Sequence, residues 1–446
     1  MSPVAPGTDE RRSPESSVER IAIIGSGIAG LAASRELTRG PARRRVTLFE
    51  AAAHFGGHAN TVDITLDGVT HGVDTGFLVY NERTYPQLVR LFAELGVETA
   101  ASDMSFSVQA RGHHLEWSGS HLGSVFAQRR NLLRPAFWRM LAAIARFNRL
   151  TTGIAAMPDA AMPDQSVGEF LAAHRFGREF REWYLLPMIA CIWSCPSEQM
   201  LAFPVRTLIR FCHNHGLLQV TDRPQWMTLR GGSRQYVARI VSRLDDARLE
   251  TPVLGVRRDA AGALVTTAHA IEHFDQVIFA CHSDQALRLL GADATRAESE
   301  VLGAIRYQPN QAVLHTDASL LPTRRSAWAA WNHESCGTGS RTGVCLHYLL
   351  NRLQPLPWQQ PVIVSLNALR QPHPDTVLRR FDYDHPIFDL GAVAAQQRLP
   401  EIQGQRRTWY CGAWVGYGFH EDGLSAGLAA ARALLQASPE QQRGAA

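Results

Sequence analysis

Short apolar runs mark the first ordered part of the chain. Ile21-Ala22-Ile23-Ile24 is rich in β-branched residues and ends in Gly25-Ser26-Gly27-Ile28-Ala29-Gly30, after which Leu31, Ala32, Ala33 and Leu37 follow at helical spacing. The order predicts strand, glycine turn, helix. A second run, Val46-Thr47-Leu48-Phe49, predicts another strand and ends at Glu50. Gly25 permits the tight turn, Gly27 lets backbone approach a pyrophosphate, and Gly30 lets helix and strand pack closely. Ser26, Ile28 and Ala29 complete the turn, and the helix N-terminus meets the anion. Glu50 stands where an acidic side chain takes the ribose hydroxyls, so the unit predicts dinucleotide binding. A glycine turn without a ligand would need neither the second strand nor the acid.

Composition adds mainly exclusions. The chain has 446 residues, 45% of them hydrophobic, enough for two domains with buried cores. Residues 1–19 and 438–446, polar and aperiodic, read as tails. Charges or Pro interrupt every apolar run before it can span a bilayer, and no signal pattern opens the chain, which predicts a cytoplasmic protein. Seven Cys, an odd number, read as free thiols. All 45 basic residues are Arg, so Schiff-base, P-loop-lysine and lysine-base chemistry are ruled out. Nothing in this pattern points to a nucleic acid partner.

Glu50 is followed by Ala51-Ala52-Ala53-His54-Phe55-Gly56-Gly57-His58, and this stretch resembles the flavin-containing amine oxidase and phytoene desaturase superfamily. There a similar acid, spacer and glycine pair precede an Arg, here replaced by His58. The resemblance continues through Asp74-Thr75-Gly76-Phe77, through Arg230-Gly231-Gly232-Ser233 and a helix, through the strands at Val253 and Gln276, and through Trp409 to Trp414 with the helix after it. It implies an α/β and α+β architecture. A Rossmann-type FAD-binding domain would be assembled from 20–85, 230–299 and 401–437, and a mixed substrate domain inserted as 86–229 and 300–400. It implies non-covalent FAD, with Gly56, Gly57, His58, Thr75, Gly76, Phe77, Val253, Gly412, Ala413, Glu421, Gly423 and Leu424 joining the first glycine turn and Glu50 as cofactor contacts.

A narrower likeness is to bacterial NAD/FAD-binding oxidoreductases that accompany cyclopropane-fatty-acid-synthase-type methyltransferases. It is carried by Tyr184-Leu185-Leu186-Pro187-Met188, Asn214-His215-Gly216-Leu217-Leu218, His315-Thr316-Asp317, Ser365-Leu366-Asn367 and Phe419-His420-Glu421-Asp422-Gly423. This implies desaturation or oxidation of a lipid or fatty-acyl substrate by hydride transfer to flavin N5, with a lipid methyltransferase as candidate partner. The alternatives are an amine or tetrapyrrole oxidase, or a flavin-stabilised binding protein. The missing Lys and the single cage aromatic, Phe419, weigh against amine oxidation.

His58, His420 and Glu421 are the catalytic candidates, with capping or FAD contact as the alternative for the last two. Cys191, Cys195, Cys212, His213 and His215 have no common zinc spacing, so no metal is expected. Gly337-Thr338-Gly339-Ser340-Arg341 follows no strand, so no second dinucleotide domain is expected. From Trp117 to Pro158 there is no acid, while Arg129, Arg130, Arg134, Arg139, Arg146 and Arg149 alternate with apolar residues. A core-facing helix with a solvated Arg face explains this pattern. Peripheral contact with the inner face of a membrane is the alternative.

Overall fold

The computed structural model describes residues 18–39, 44–158, 161–193, 197–219, 223–335 and 345–437. Most of both expected tails, Cys195 and the Gly337–Arg341 stretch lie outside these residues.

A five-stranded parallel sheet runs in the order Asp246–Arg248, Arg44–Phe49, Glu19–Ile24, Gln276–Phe279 and Thr408–Tyr410. Its strands are near-continuous apolar runs because helices and a small sheet cover both faces; Ile21, Ile23, Leu48, Val277 and Ile278 are fully buried. The strand Glu19–Ile24 is followed in sequence by a neighbour on one side and much later by Gln276–Phe279 on the other. Its C-terminal end is therefore the switch point at which such sheets open a crevice. The helix Ile28–Leu37 leaves from there, and the last helix, His420–Gln436, packs along it.

A seven-stranded sheet forms the second layer, in the order Val377–Ile387, Arg306–His315, Ile363–Leu366, Leu346–Leu349, Trp331–Ser335, Phe106–Ala110 and Leu115–Ser118. All its pairs are antiparallel except Trp331–Ser335 with Phe106–Ala110. Helices between Pro135 and Asn214 pack beside it.

The joint between the layers is Asp74, which is buried. Its carboxylate accepts from Thr61 Oγ1 at 2.6 Å, Ser233 N at 2.9 Å, Ser233 Oγ at 2.7 Å and Gln354 Nε2 at 2.8 Å. Burial raises its pKa, and these donors pull against that. The Arg230–Ser233 turn thus serves to hold Asp74, with Gly232 pressed against Thr61.

The helix Pro135–Ala155 follows the core-facing pattern, burying Phe137, Met140, Phe147 and Ile154. Its arginines are not simply solvated. Arg139 pairs with Glu179, Arg146 donates to the carbonyl of His174 at 3.0 Å, and Arg134 lies over Trp183.

The two helices at the switch point pack backbone against backbone. A Cβ on Gly427 would lie 2.1 Å from the Ala29 carbonyl oxygen. Gly to Ala inside a helix ordinarily stabilises by about 1 kcal/mol. Gly427→Ala is expected to do the reverse, destabilising by roughly 1–3 kcal/mol because the helices must part. A urea midpoint at or above that of the parent would contradict the close packing.

Candidate functional site

One cavity of about 460 Å3 begins at the switch point and ends between the layers. Gly25 turns at φ +104° against the Ala280 carbonyl, and a Cβ on Gly30 would fall 1.9 Å from the Gly25 carbonyl oxygen. Both glycines are thus required by close packing. Gly27 differs: a Cβ there meets nothing within 4 Å and would project into open space. Gly27 also bridges to Gly56, and Gly57 faces it so closely that its Cβ would lie 3.3 Å from Gly27 Cα. The two glycine pairs therefore form one concave wall of backbone.

No side chain caps the helix that starts at Ile28, so its first N–H groups face that wall unsatisfied. Glu50 accepts from Ser26 N at 2.9 Å and Ser26 Oγ at 2.5 Å through Oε2, and from Ala52 N at 2.9 Å through Oε1. A bare helix N-terminus, a backbone wall and an adjacent acid fit the pyrophosphate and ribose of FAD.

Of the expected cofactor contacts, Gly25, Ser26, Gly27, Ile28, Ala29, Glu50, Gly56, Gly57, His58, Thr75, Gly76, Phe77, Gly412 and Ala413 line this cavity together. Others do not. Val253 stands outside it, although Thr251 N, two residues before, donates to the Glu50 carbonyl at 2.8 Å. Gly423 packs against Ile28 and Leu424 is buried in the core. Glu421 accepts from Gln87 N at 2.8 Å and Leu88 N at 3.0 Å, capping the helix Pro86–Leu95. Its carboxylate is committed to that cap, so the catalytic and FAD-contact expectations for Glu421 have no geometry behind them.

His58 and His420 do face the cavity. His420 stacks on Phe77 with ring centres 3.6 Å apart, and its Nε2 meets Tyr236 Oη at 3.1 Å. His58 stacks on Tyr383 at 4.8 Å and lies 5.2 Å from His385, while its Nε2 is buried without a partner. Sequence reasoning missed His282, Tyr383 and His385, which also line the cavity. They come from Ala280–His282 and the long strand Val377–Ile387, and no local motif marks them.

Burial is the chief cause holding these imidazoles neutral. His58 is pushed well below its ordinary value by burial and then by His385, His282 and His420. His385 is lowered to about 4 and His420 to about 3, in both cases first by burial. Among the described residues, the charged side chains that line the cavity are Glu50 and Asp384, with no Arg. A bound pyrophosphate would thus rely on helix and backbone N–H groups in place of guanidinium. Cys281 and Cys191 line the cavity, but burial pushes the Cys281 thiol up to about 12 and raises Cys191 well above its ordinary value, so both are protonated. A protonated thiol is a poor nucleophile towards flavin.

Phe419 is not solitary. It stacks on Phe211 at 5.0 Å and lies 6.4 Å from Trp193. Behind the chamber, on the far face of the seven-stranded sheet, a buried chain of polar groups passes through His315, Ser365, His347 and Glu334. Asp317 N donates to His315 Nδ1, so the neutral ring donates from Nε2 to Ser365 Oγ at 2.6 Å. Ser365 in turn donates to His347 Nδ1 at 2.7 Å, and His347 Nε2 donates to Glu334 at 3.0 Å. Cys345 lies beside this pair, which makes Glu334, Cys345 and His347 a metal-like grouping by distance. Arg111 and Arg370 already hold Glu334, and His347 spends its Nε2 hydrogen on it, so the group reads as a hydrogen-bonded chain that ends on an arginine-paired carboxylate.

Two outcomes follow from this geometry. Gly27→Val should fold normally yet retain no FAD, because its side chain enters only open space in the FAD-free chain; normal flavin absorbance in the purified variant would remove the wall from the argument. FAD should leave the wild-type chain intact on denaturation, since both cavity thiols are protonated, and flavin retained by the precipitate would contradict this.

A pH dependence follows as well. His58, His385 and His420 titrate low in the folded chain but near 6.5 once unfolded, so between those values the unfolded form binds more protons. Stability of the FAD-free protein should be complete above about pH 6.5 and fall on acidification, by up to about 1.4 kcal/mol per group per pH unit. A urea midpoint unchanged from pH 7 to pH 5 would contradict it.

Known proteins share this fold. Structures of similar fold include putrescine oxidase bound to putrescine, with a TM-score of 0.66, 15% identity and coverage of 94% of this chain and 100% of that one. Cyclohexylamine oxidase from Brevibacterium oxydans gives 0.64, 16% identity and coverage of 94% and 99%. A fatty acid isomerase from P. acnes that produces CLA gives 0.64, 14% identity and coverage of 92% and 97%. No curated protein sequence matches the chain significantly. The family model for flavin-containing amine oxidoreductases matches residues 28–320, more than half of the sequence. Glycine wall, acid and family model together make this chain a member of the flavin-containing amine oxidoreductase family and an FAD-dependent oxidoreductase.

Proposed function

We propose that this oxidoreductase acts on the hydrocarbon part of a lipid, most simply a fatty-acyl chain. The observation that carries the reading is the far end of the cavity. Met104, Phe106, Met188, Ile192, Val364 and Leu366 wall it, and among the described lining residues the only carboxylates are Glu50, at the glycine wall, and Asp384, between Tyr383 and His385 in sequence. An apolar chamber binds hydrocarbon by removing it from water, whereas an ammonium there would be desolvated without a counter-charge. The same fold serves a fatty acid isomerase.

FAD, when bound, supplies the acceptor for the two electrons removed. The chain's own residues do the rest. The glycine wall and the helix N-terminus would hold the pyrophosphate, and Glu50, fixed by Ser26 and Ala52, would take the ribose hydroxyls. Trp331, Tyr348, Val364 and Leu366 orient the chain and exclude water. His58 is the group placed to move a proton, being neutral and buried with a free Nε2. His420 has Tyr236 on its Nε2 and serves to hold Phe77.

Anaerobic mixing of the holoprotein with candidate substrates tests this reading. Fatty-acyl lipids in detergent micelles should bleach the flavin absorbance, and His58→Gln should slow the bleaching by about a hundredfold to ten-thousandfold, the usual range for a proton-transfer group. Bleaching by amines but not lipids would overturn it, as would a flavin that stays oxidised with every lipid.

A further inference from the structure

One surface of the substrate domain exposes apolar side chains that its own fold does not use. Leu133 is 89% exposed, Leu122 79%, Trp138 49% and Leu132 48%. They belong to one stretch, the short helices Leu122–Val125 and Arg129–Leu133 and the start of the long helix Pro135–Ala155. The long helix buries Phe137 and Met140 inward, so the outward face of Trp138 is not demanded by the core. The tip is nevertheless held in place. Trp138 Nε1 donates to the Leu132 carbonyl at 2.9 Å, and its ring lies 5.5 Å from Phe126. Between Leu132 and Ala142 the surface is a shallow groove.

Charge identifies the occupant. No Asp or Glu occurs between Trp117 and Pro158. Arg129 and Arg130 are exposed beside Leu132 and Leu133, and Arg130 and Arg134 donate to the carbonyls of His114 and His113, contacts that leave their charge unneutralised. Arg139 is the one that meets a carboxylate, that of Glu179. An apolar tip ringed by guanidinium fits a surface that is apolar inside and anionic outside. A second copy of the chain paired symmetrically on this face would oppose arginine with arginine.

A run of aromatic contacts ties the tip to the cavity. Phe126 lies 5.8 Å from Phe137, Phe137 6.1 Å from Trp117, and Trp117 6.4 Å from Phe106, which lines the chamber. Resting on the lipid reading above only for the kind of surface, we infer that the Leu132–Leu133 and Trp138 tip inserts into an anionic bilayer surface, with Arg129 and Arg130 on the headgroups.

Cosedimentation of the holoprotein with vesicles tests this. Vesicles of phosphatidylcholine mixed with phosphatidylglycerol should bind it, and those of phosphatidylcholine alone should bind poorly. Leu133→Asp should weaken binding on the order of tenfold or more, as expected for losing one inserted leucine. Arg129→Glu with Arg130→Glu should weaken it comparably and flatten its salt dependence. Trp138 emission, taken as the difference from Trp138→Phe, should be quenched by lipids brominated along the acyl chain.

All these residues are exposed, and unchanged FAD content checks the variants. Absence of binding to anionic vesicles, wild-type binding by Leu133→Asp, or an unquenched Trp138 would overturn the inference. So would a wild-type dimer in gel filtration that Leu133→Asp dissolves. The micellar bleaching assay needs no vesicle, so bleaching without vesicle binding sinks only this inference, and vesicle binding without bleaching sinks only the lipid reading.

Discussion

Everything in this molecule depends on backbone approaching backbone at the end of the strand Glu19–Ile24. The Gly25 turn touches the Ala280 carbonyl, Gly30 lies on the Gly25 carbonyl, and Gly427 lies on the Ala29 carbonyl. Three segments far apart in sequence meet there with no side chain between them. The contacts bring the parallel sheet, the first helix and the last helix to one point, and they leave the first turn of Ile28–Leu37 uncapped and open. A helix end without a cap is unfavourable in isolation. Here the bare N–H groups are the proposed anion site, so the same geometry is both a local cost and the proposed basis of cofactor binding.

The second layer works by alternation. In the strands Leu346–Leu349 and Ile363–Leu366, Tyr348, Val364 and Leu366 face the chamber, while His347 and Ser365 point to the far side. A period of two thus separates an apolar wall from a buried polar chain within a few residues. The polar side is satisfied end to end, from the backbone N–H of Asp317 to Glu334. Although burial alone would raise Glu334, His347 and the two arginines hold it down to about 2. That network keeps the wall rigid without placing charge in the chamber.

The substrate end therefore differs in kind from the cofactor end. At the glycine wall, the groups offered to a ligand are unsatisfied backbone donors and one acid. Further in, the cavity offers apolar walls and imidazoles that burial keeps neutral. The exposed tip around Leu133 adds a third kind of surface, connected to the chamber through Phe126, Phe137, Trp117 and Phe106.

The dinucleotide half of the site was legible in the sequence because its chemistry is local. A turn that must reach positive φ, a helix that must start unobstructed and an acid at the next strand end all occur within thirty residues, so Gly25, Gly27, Gly30 and Glu50 declare themselves. The missing lysines were equally legible, since composition needs no fold. His282, Tyr383 and His385 could not be read this way. Tyr383 and His385 reach the cavity only because a distant strand registers beside it, and His282 because the loop after Gln276–Phe279 turns towards it. Glu421 misled for the same reason: its motif fixes its place at the start of the last helix, but only the packing of Pro86–Leu95 against that start decides that the carboxylate caps a helix. The arginine-rich stretch was recognised as amphipathic from its spacing, and the tertiary structure alone decided that Phe137 goes inward while Leu133 and Trp138 stay out. Local backbone geometry is encoded by neighbours in sequence, whereas the lining of a cavity between layers is set by contacts across hundreds of residues.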